Sequence, residues 1–296
     1  MPGLFACDHR ARMPMDIRLK PVETLLFRGE MVAVGKFRCP STHPLFPDSG
    51  PCSHHTIVFP RTITRIRHED GTTFLGNPGS IGLLNQDLRY TRHRISDIDA
   101  SDWYTVADDV LLEMLHAVDP RATPERPFRI SDGPSDARSF AEQRILFNAL
   151  ERGDALDAND VEESVLRFLS RALGSAYRSE SRSPKPLRPA EIDAVEHARQ
   201  LIARDPVLNM PLRVLADACG LSPFQLCRLF RMRTGDTITA YRHGLRLRLA
   251  LERLRDSRGD LTGIALDHGY SSHSHFTYAF RRHFGFAPTA FLRAIA

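Results

Sequence analysis

Three observations in the sequence predict an α+β protein: a small β-sandwich or barrel with helices after it, joined to an all-α half carrying two helix-turn-helix units. Short β-branched or aromatic runs crowd residues 22–107, a Ser/Pro/basic run interrupts the chain at 179–190, and the last third repeats itself at an offset of 49 to 50 residues. With 296 residues, the chain has the length of about two domains.

The strand-rich run comes first. TIVFP (56–60), TITRIRH (62–68), TTFLG (72–76), SIGLLN (80–85), LRYTRHRI (88–95) and DWYTV (102–106) are separated by turn signals such as Asp70-Gly71 and Asn77-Pro78-Gly79. Many short strands at close spacing point to a small sandwich or barrel. Helical patterns follow. Val110, Leu111, Met114, Leu115 and Val118 recur at steps of three and four, and residues 135–152 carry Phe140, Ile145 and Phe147 before Gly153 as a stop. Asp157 or Asn159 then caps a helix with Val161, Val165, Leu166, Leu169, Ala172 and Leu173 on one face. That stripe either packs on its own domain or offers a homodimer face. In SESRSPKPLRPA (179–190), three prolines rule out a continuous helix, which divides the chain into 1–178, a linker at 179–190, and 191–296.

Composition narrows the class. The 42% hydrophobic and 26% charged content is that of a globular chain, and no run of about 18 apolar residues is present to span a membrane. The opening MPGLFACDHRARMPMD lacks the apolar core and small-residue cleavage site of a secretory leader. Five scattered cysteines without a CxxC fit reduced thiols, so a cytoplasmic protein is expected. Charge is uneven: residues 187–296 hold 16 arginines, no lysine and 10 acidic residues, a surplus of +6, whereas the remainder is at −2. A basic last third suits a polyanionic partner, although with only three lysines in the chain arginine is also its default cation.

The repeat sharpens this. VLADACGLSPFQLCRLFRMRTGDTITAY (214–241) aligns with GIALDHGYSSHSHFTYAFRRHFGFAPTAF (263–291), with one residue inserted in the turn. Each copy has a short helix with a small residue at a close crossing (Ala216, Ala265) and a glycine able to take the left-handed conformation that ends it (Gly220, Gly269). Ser222-Pro223 and Ser272 then start a second helix. Leu226, Leu229 and Phe230, and likewise Phe276 and Phe280, form its core face. Gln225, Cys227, Arg228 and Arg231, and His273, Ser274, Thr277, Tyr278 and Arg281, project outward. A second helix of this kind is the element that enters a DNA major groove. Between the copies, residues 239–254 form a rod of roughly 22 Å, which with its flanking helices brings the two reading helices roughly 34 Å apart, one turn of B-DNA.

At these residues the sequence resembles the AraC/XylS family of bacterial transcription regulators, from about Glu191 to Ala296. The most specific part runs from Ile264-Ala265 through Gly269-Tyr270, and continues with Ser274, Phe276, Phe280-Arg281, Gly285, Pro288, Phe291 and Arg293. Leu215-Ala216, Gly220, Ser222, Leu226, Phe230 and Thr234-Gly235 carry it in the first copy. The resemblance implies a seven-helix module that binds double-stranded promoter DNA. Its base contacts would be Phe224, Gln225, Cys227 and Arg228 in the first unit and His273, Ser274, Thr277 and Tyr278 in the second, with Arg228 the guanine reader. Many relatives carry arginine where this chain has Tyr278. Ser222, Arg231, Arg233, Ser272, His275, Arg281 and Arg282 would touch the DNA backbone. The resemblance also implies a cupin-like N-terminal barrel that binds a small-molecule effector and dimerises, contact with RNA polymerase, and activation as the commoner mode.

Two rival readings rest on other residues. Cys39, His43, Cys52, His54 and His55, with His68 and His93 further on, could form a metal or redox sensor, but match no tight zinc pattern. Cys227, beside Arg228, could sense oxidation. A cupin-type enzyme would need a closely spaced His-x-His with a carboxylate, which is missing, so neither catalysis nor a cofactor or metal is expected. The histidines at 268, 273, 275 and 283 do not make a metal site either, because 273 and 275 lie about 200° apart around a helix.

Overall fold

Strand β8 (Ile98–Val106) organises the first half. It pairs antiparallel with β2 (Val32–Pro40) on one side and β3 (Thr56–Pro60) on the other. In this computed structural model, which describes residues 17–48, 50–181, 187–255 and 259–296, β8 sits inside a six-stranded sheet of order β1-β2-β8-β3-β6-β9. Its outer members are β1 (Glu23–Arg28), β6 (Ser80–Leu84) and β9 (Asp132–Pro134). A second sheet has the order β5-β4-β7, from β5 (Thr73–Gly76), β4 (Thr64–His68) and β7 (Tyr90–Arg94). The strands therefore make two open sheets, which sets aside the barrel that the strand count offered beside a sandwich: β4 pairs only with β5 and β7, so no ladder joins the sheets. The sixteen residues read against a secretory leader lie outside the described ones.

Alternation along β8 divides its two faces, as a period of two requires. Asp99, Ser101, Trp103 and Thr105 line a cavity between the sheets. Tyr104 and Val106 face the helices, packing with Val32, Val34, Ile57 and Phe59. Those helices are α1 (Asp108–His116), α2 (Ala137–Arg152) and α3 (Ala158–Ser181). Helix α2 ends at Gly153 with φ +76°, and Asp157 accepts hydrogen bonds from the amides of Asn159 and Asp160 to open α3. The stripe on α3 is consumed internally. Val161, Val165, Leu169, Ala172 and Leu173 are all buried in this domain's own core, so it is not a dimer face. Helix α3 runs to Ser181 and the next helix starts at Pro189, and residues 182–186 of the expected linker lie outside the described ones.

Seven helices follow among the described residues: α4 (Pro189–Arg204), α5 (Leu212–Ala218), α6 (Pro223–Thr234), α7 (Ile238–Leu254), α8 (Leu261–Asp267), α9 (His273–Phe284) and α10 (Pro288–Ile295). They form two cores. The first gathers Val195, Leu215, Ala216, Leu226, Phe230 and Tyr241, and takes in Leu75 of β5. The second gathers Leu251, Ala265, Phe276, Phe280 and Phe291, and takes in Phe140 and Ala141 of α2. Each core therefore incorporates side chains from the first half.

Polar bonds complete the seam. Glu196 accepts from the Leu75 amide (3.2 Å), Arg199 donates to the Leu75 carbonyl (3.3 Å), and Asn77 donates to the Tyr241 hydroxyl (3.0 Å). Asp132 binds Arg233 at 2.7 Å, and Arg233 also reaches Glu196 at 3.2 Å. At the far end of α7, Glu252 pairs with Arg61 and, at 2.9 Å, with Arg144. Arg144 continues to the wholly buried Asp102 at 2.8 Å. Burial pushes the Asp102 carboxyl up, but the guanidiniums of Arg61, Arg144 and Arg38 outweigh it and hold the group below the usual range.

Candidate nucleic-acid interface

Helices α6 and α9 are built alike. Gly220 (φ +67°) and Gly269 (φ +74°) end the preceding helices in the left-handed conformation that only glycine adopts freely. Ser222 accepts from the Gln225 amide, and Ser272 from that of His275, which fixes the first turn of each reading helix. In α6 the cap is reciprocal, since the Gln225 side-chain oxygen accepts from the Ser222 amide. That bond fixes the Gln225 side chain and leaves its amide nitrogen and the second lone pair of its oxygen for a partner. Both helices end on a left-handed glycine, Gly235 and Gly285.

One face of each helix is sealed: Leu226, Leu229 and Phe230 in α6, and Phe276, Phe280 and Phe284 in α9, are all buried. The opposite face is bare. Phe224 is 78% exposed and Tyr278 66%, high values for large aromatics that have no protein partner to cover them. Gln225, Cys227, Arg228, His273, Ser274 and His275 are exposed as well, and Thr277 is half-buried, with its hydroxyl 3.3 Å from Nε2 of His273. Arg228, Arg231, Arg281 and Arg282 are exposed, and among the described residues no carboxylate pairs with them.

Arg233 departs from the expected set. Its guanidinium is turned into the seam and held by Asp132 and Glu196, so in this structure it cannot meet a DNA phosphate. The reason is its place in the last turn of α6, which points back at the sheet domain.

The four clustered histidines also part company. His273 and His275 are both exposed in the first turn of α9, on different sides of it, His273 beside Thr277 and His275 beside Ser271 and Tyr270. His268 hydrogen-bonds the Ile264 carbonyl through Nδ1 at 2.8 Å, and His283 is packed against α7, where burial first and the Arg248 charge second pull it down to about 3. In the first half, Cys39 and Cys52 are buried, and burial pushes the Cys52 thiol up to about 11, which disfavours a free reactive thiolate. Among the described residues no three His, Cys, Asp or Glu side chains are grouped to hold a metal ion.

The chain matches known proteins over this same module. A helix-turn-helix domain family model matches residues 215–294. Regulatory protein SoxS of Escherichia coli is 37% identical over 87 residues, 29% of this chain and 81% of SoxS. The chain belongs to the AraC/XylS family of DNA-binding transcription regulators. A second relative of this AraC/XylS protein, the HTH-type transcriptional regulator AlkR of Acinetobacter baylyi, is 39% identical over 74 residues, 25% of this chain and 24% of AlkR's length. Among solved structures, ToxT of Vibrio cholerae aligns over 90% of this chain and 99% of its own at 14% identity, with a TM-score of 0.35. The AraC/XylS relatives named here are regulators, not enzymes. Among the described residues of this regulator, no helix is long and apolar enough to cross a membrane.

The cavity between the sheets escaped the sequence reading. It measures about 80 Å³, and two buried polar atoms on its lining, Nε1 of Trp103 and Oγ1 of Thr105, have no hydrogen-bond partner. A signal for it was present. Gly35 sits in the middle of β2, and a Cβ there would fall 2.1 Å from the ring of Trp103, the chain's one tryptophan. A glycine inside a strand marks such a close approach.

Proposed function

We propose that this regulator reads promoter DNA in a sequence-specific way by setting α6 and α9 into successive major grooves of one duplex. The observation that carries the reading is the division of both helices into a sealed apolar face and an outer face of unpaired arginines and exposed polar or aromatic side chains. The 17 residues of α7 give a rod of about 25 Å. With the flanking helices added, this suits a spacing of roughly 34 Å, one turn of B-DNA. Arg228 reads guanine through O6 and N7, and Phe224, Gln225, Cys227, His273, Ser274, Thr277 and Tyr278 meet the other base edges. Ser222, Ser272, His275, Arg231, Arg281 and Arg282 hold the backbone.

The first half acts as the cupin-like effector domain. The unpartnered Trp103 and Thr105 donors in an otherwise largely apolar cavity support a small, apolar-bodied effector with a hydrogen-bond acceptor. Activation, contact with RNA polymerase, a homodimer and a cytoplasmic location follow from family membership alone.

Selection and sequencing of the DNA fragments retained by the purified protein tests the reading. Two short motifs about one helical turn apart are expected, and Arg228→Ala should relax one base position at a cost of about 1–3 kcal/mol. Retained fragments without a common motif would overturn sequence-specific reading, and a uniform loss across all sequences would move Arg228 to the backbone.

A further inference from the structure

Four arginines are buried among the described residues, and three of them have a carboxylate at hand: Arg92 has Asp99 (2.7 Å), Arg144 has Asp102 (2.8 Å), and Arg199 has Glu196 (2.7 Å). The fourth, Arg248 of α7, makes no salt bridge; Asp236 and Asp136 act on it only from a distance, and the Phe140 ring lies 5.7 Å from its guanidinium. Arg248 is 8% exposed, it donates to the Ser135 carbonyl at 2.6 Å, and its Nε has no partner. A guanidinium taken out of water without a carboxylate in direct contact is costly, so such a group is ordinarily matched by something.

Arg248 lines a cleft of about 490 Å³ between the two halves, walled by the β9–α2 connection on one side and by α7 and the ends of α6 and α9 on the other. His283, at the end of α9, lines it too, and its Nε2 is buried and unpartnered. The two groups converge over Gly244: a Cβ there would lie 3.0 Å from Nη1 of Arg248 and 3.3 Å from Cε1 of His283, so glycine keeps the space above them clear. The other cations of the cleft are accounted for differently. Arg199 and Arg233 are bound to Glu196 and Asp132, and Arg178 is exposed. Asp136 also lines the cleft; its Oδ1 caps α2, and its buried Oδ2 has no partner.

We propose that this cleft is a binding site, separate from the cavity between the sheets, for a small metabolite carrying an oxyanion beside a hydroxyl or ammonium donor. The oxyanion lies against Arg248 and His283, and the neighbouring donor reaches Asp136. A paired guanidinium and oxyanion make short, charge-assisted bonds, and the volume admits a molecule of several heavy atoms beyond the anionic group. Because the cleft touches both halves, an occupant would tie the sheet domain to α7 and to the ends of both reading helices.

The inference goes beyond the regulator reading and is tested without DNA. The full chain is titrated with L-malate and with inorganic phosphate by calorimetry and thermal denaturation, against potassium chloride at matched ionic strength. A saturable heat and a rise in Tm beyond the salt control are expected with at least one of them. Malate alone identifies a carboxylate ligand, and a response to phosphate identifies a phosphoryl one. Arg248→Met should abolish the response. Gly244→Ala keeps the charge but fills the space, and should raise Kd at least tenfold; it carries the test if Arg248→Met fails to fold. Absence of any response in the parent chain, or a parental Kd in a folded variant, overturns the proposal. Promoter binding measured separately on the same preparation reports on the regulator reading.

Discussion

The two helix-turn-helix units repeat one another in sequence, yet the sheet domain holds them by different means. The first is gripped by charge: Glu196, Arg199 and Arg233 close on Asp132 and on the backbone of Leu75, whose side chain is inserted from the sheet side with Ile63 and Ile95 packed at the edge. The second is gripped mainly by hydrocarbon: Phe140 and Ala141 complete a core of Phe276, Phe280, Phe284 and Phe291, with the pairs of Glu252 to Arg61 and Arg144 and of Arg255 to Glu151 along its edge. An ionic grip fixes direction and fails when one partner is removed, because the other charge is left buried. An apolar grip fixes volume and fails in proportion to the hole left behind. Similar units can thus be coupled to one domain with different sensitivities.

Four tests bear on this contrast. Phe140→Ala should have the largest effect, about 3–5 kcal/mol in urea denaturation, with amide exchange accelerated in α9 while α6 stays protected; equal acceleration in both would erase the distinction. Asp132→Ala leaves Arg199 and Arg233 to share Glu196. A loss of about 3 kcal/mol is expected, this time with α6 and α4 exposed to exchange first.

The third concerns acid. His283 titrates near 6.5 when unfolded and near 3 when folded, because burial and then Arg248 disfavour its charge. Its contribution is therefore complete above 6.5 and is lost as pH falls from there toward 3, at up to about 1.4 kcal/mol per pH unit. Denaturation series at pH 7, 6 and 5 should show that slope, and His283→Gln should flatten it. Smallest are the caps. Ser222→Ala and Ser272→Ala should each cost about 1 kcal/mol, with Ser222→Ala the more harmful because the reciprocal bond from its own amide to Gln225 belongs to the same cap. A larger loss at Ser272 would contradict that ranking.

Local features were the legible ones. TIVFP is β3 residue for residue, and Gly153, Gly220, Gly269, Ser222 and Ser272 do what their chemistry indicated. The outer faces of α6 and α9 could be read because they are what remains once the periodic apolar residues are assigned to the core. The two strands at 23–28 and 32–40 were not picked out individually. In the second of them Gly35 reads as a break, although the glycine serves the Trp103 ring across the ladder. Strand β9 has three residues and ends in proline, too little to carry a pattern. The seam was invisible for a different reason. Asp132 and Arg233, or Leu75 and Glu196, are a hundred or more residues apart, and nothing local in either partner announces the other.

Leu75 and Phe140 have one more implication, for the way such proteins are recombined. The linker invites a splice, with the sensory half of one family member joined to the reading half of another. A chimera cut there would inherit a foreign residue at the plug of each reading unit's core, although every residue of the reading half itself was native. The inheritable unit is therefore the seven helices together with the patch of β5 and α2 that they close upon. A graft that carries Leu75, Phe140 and Ala141 along with the module should keep the reading half intact where a cut at the linker does not.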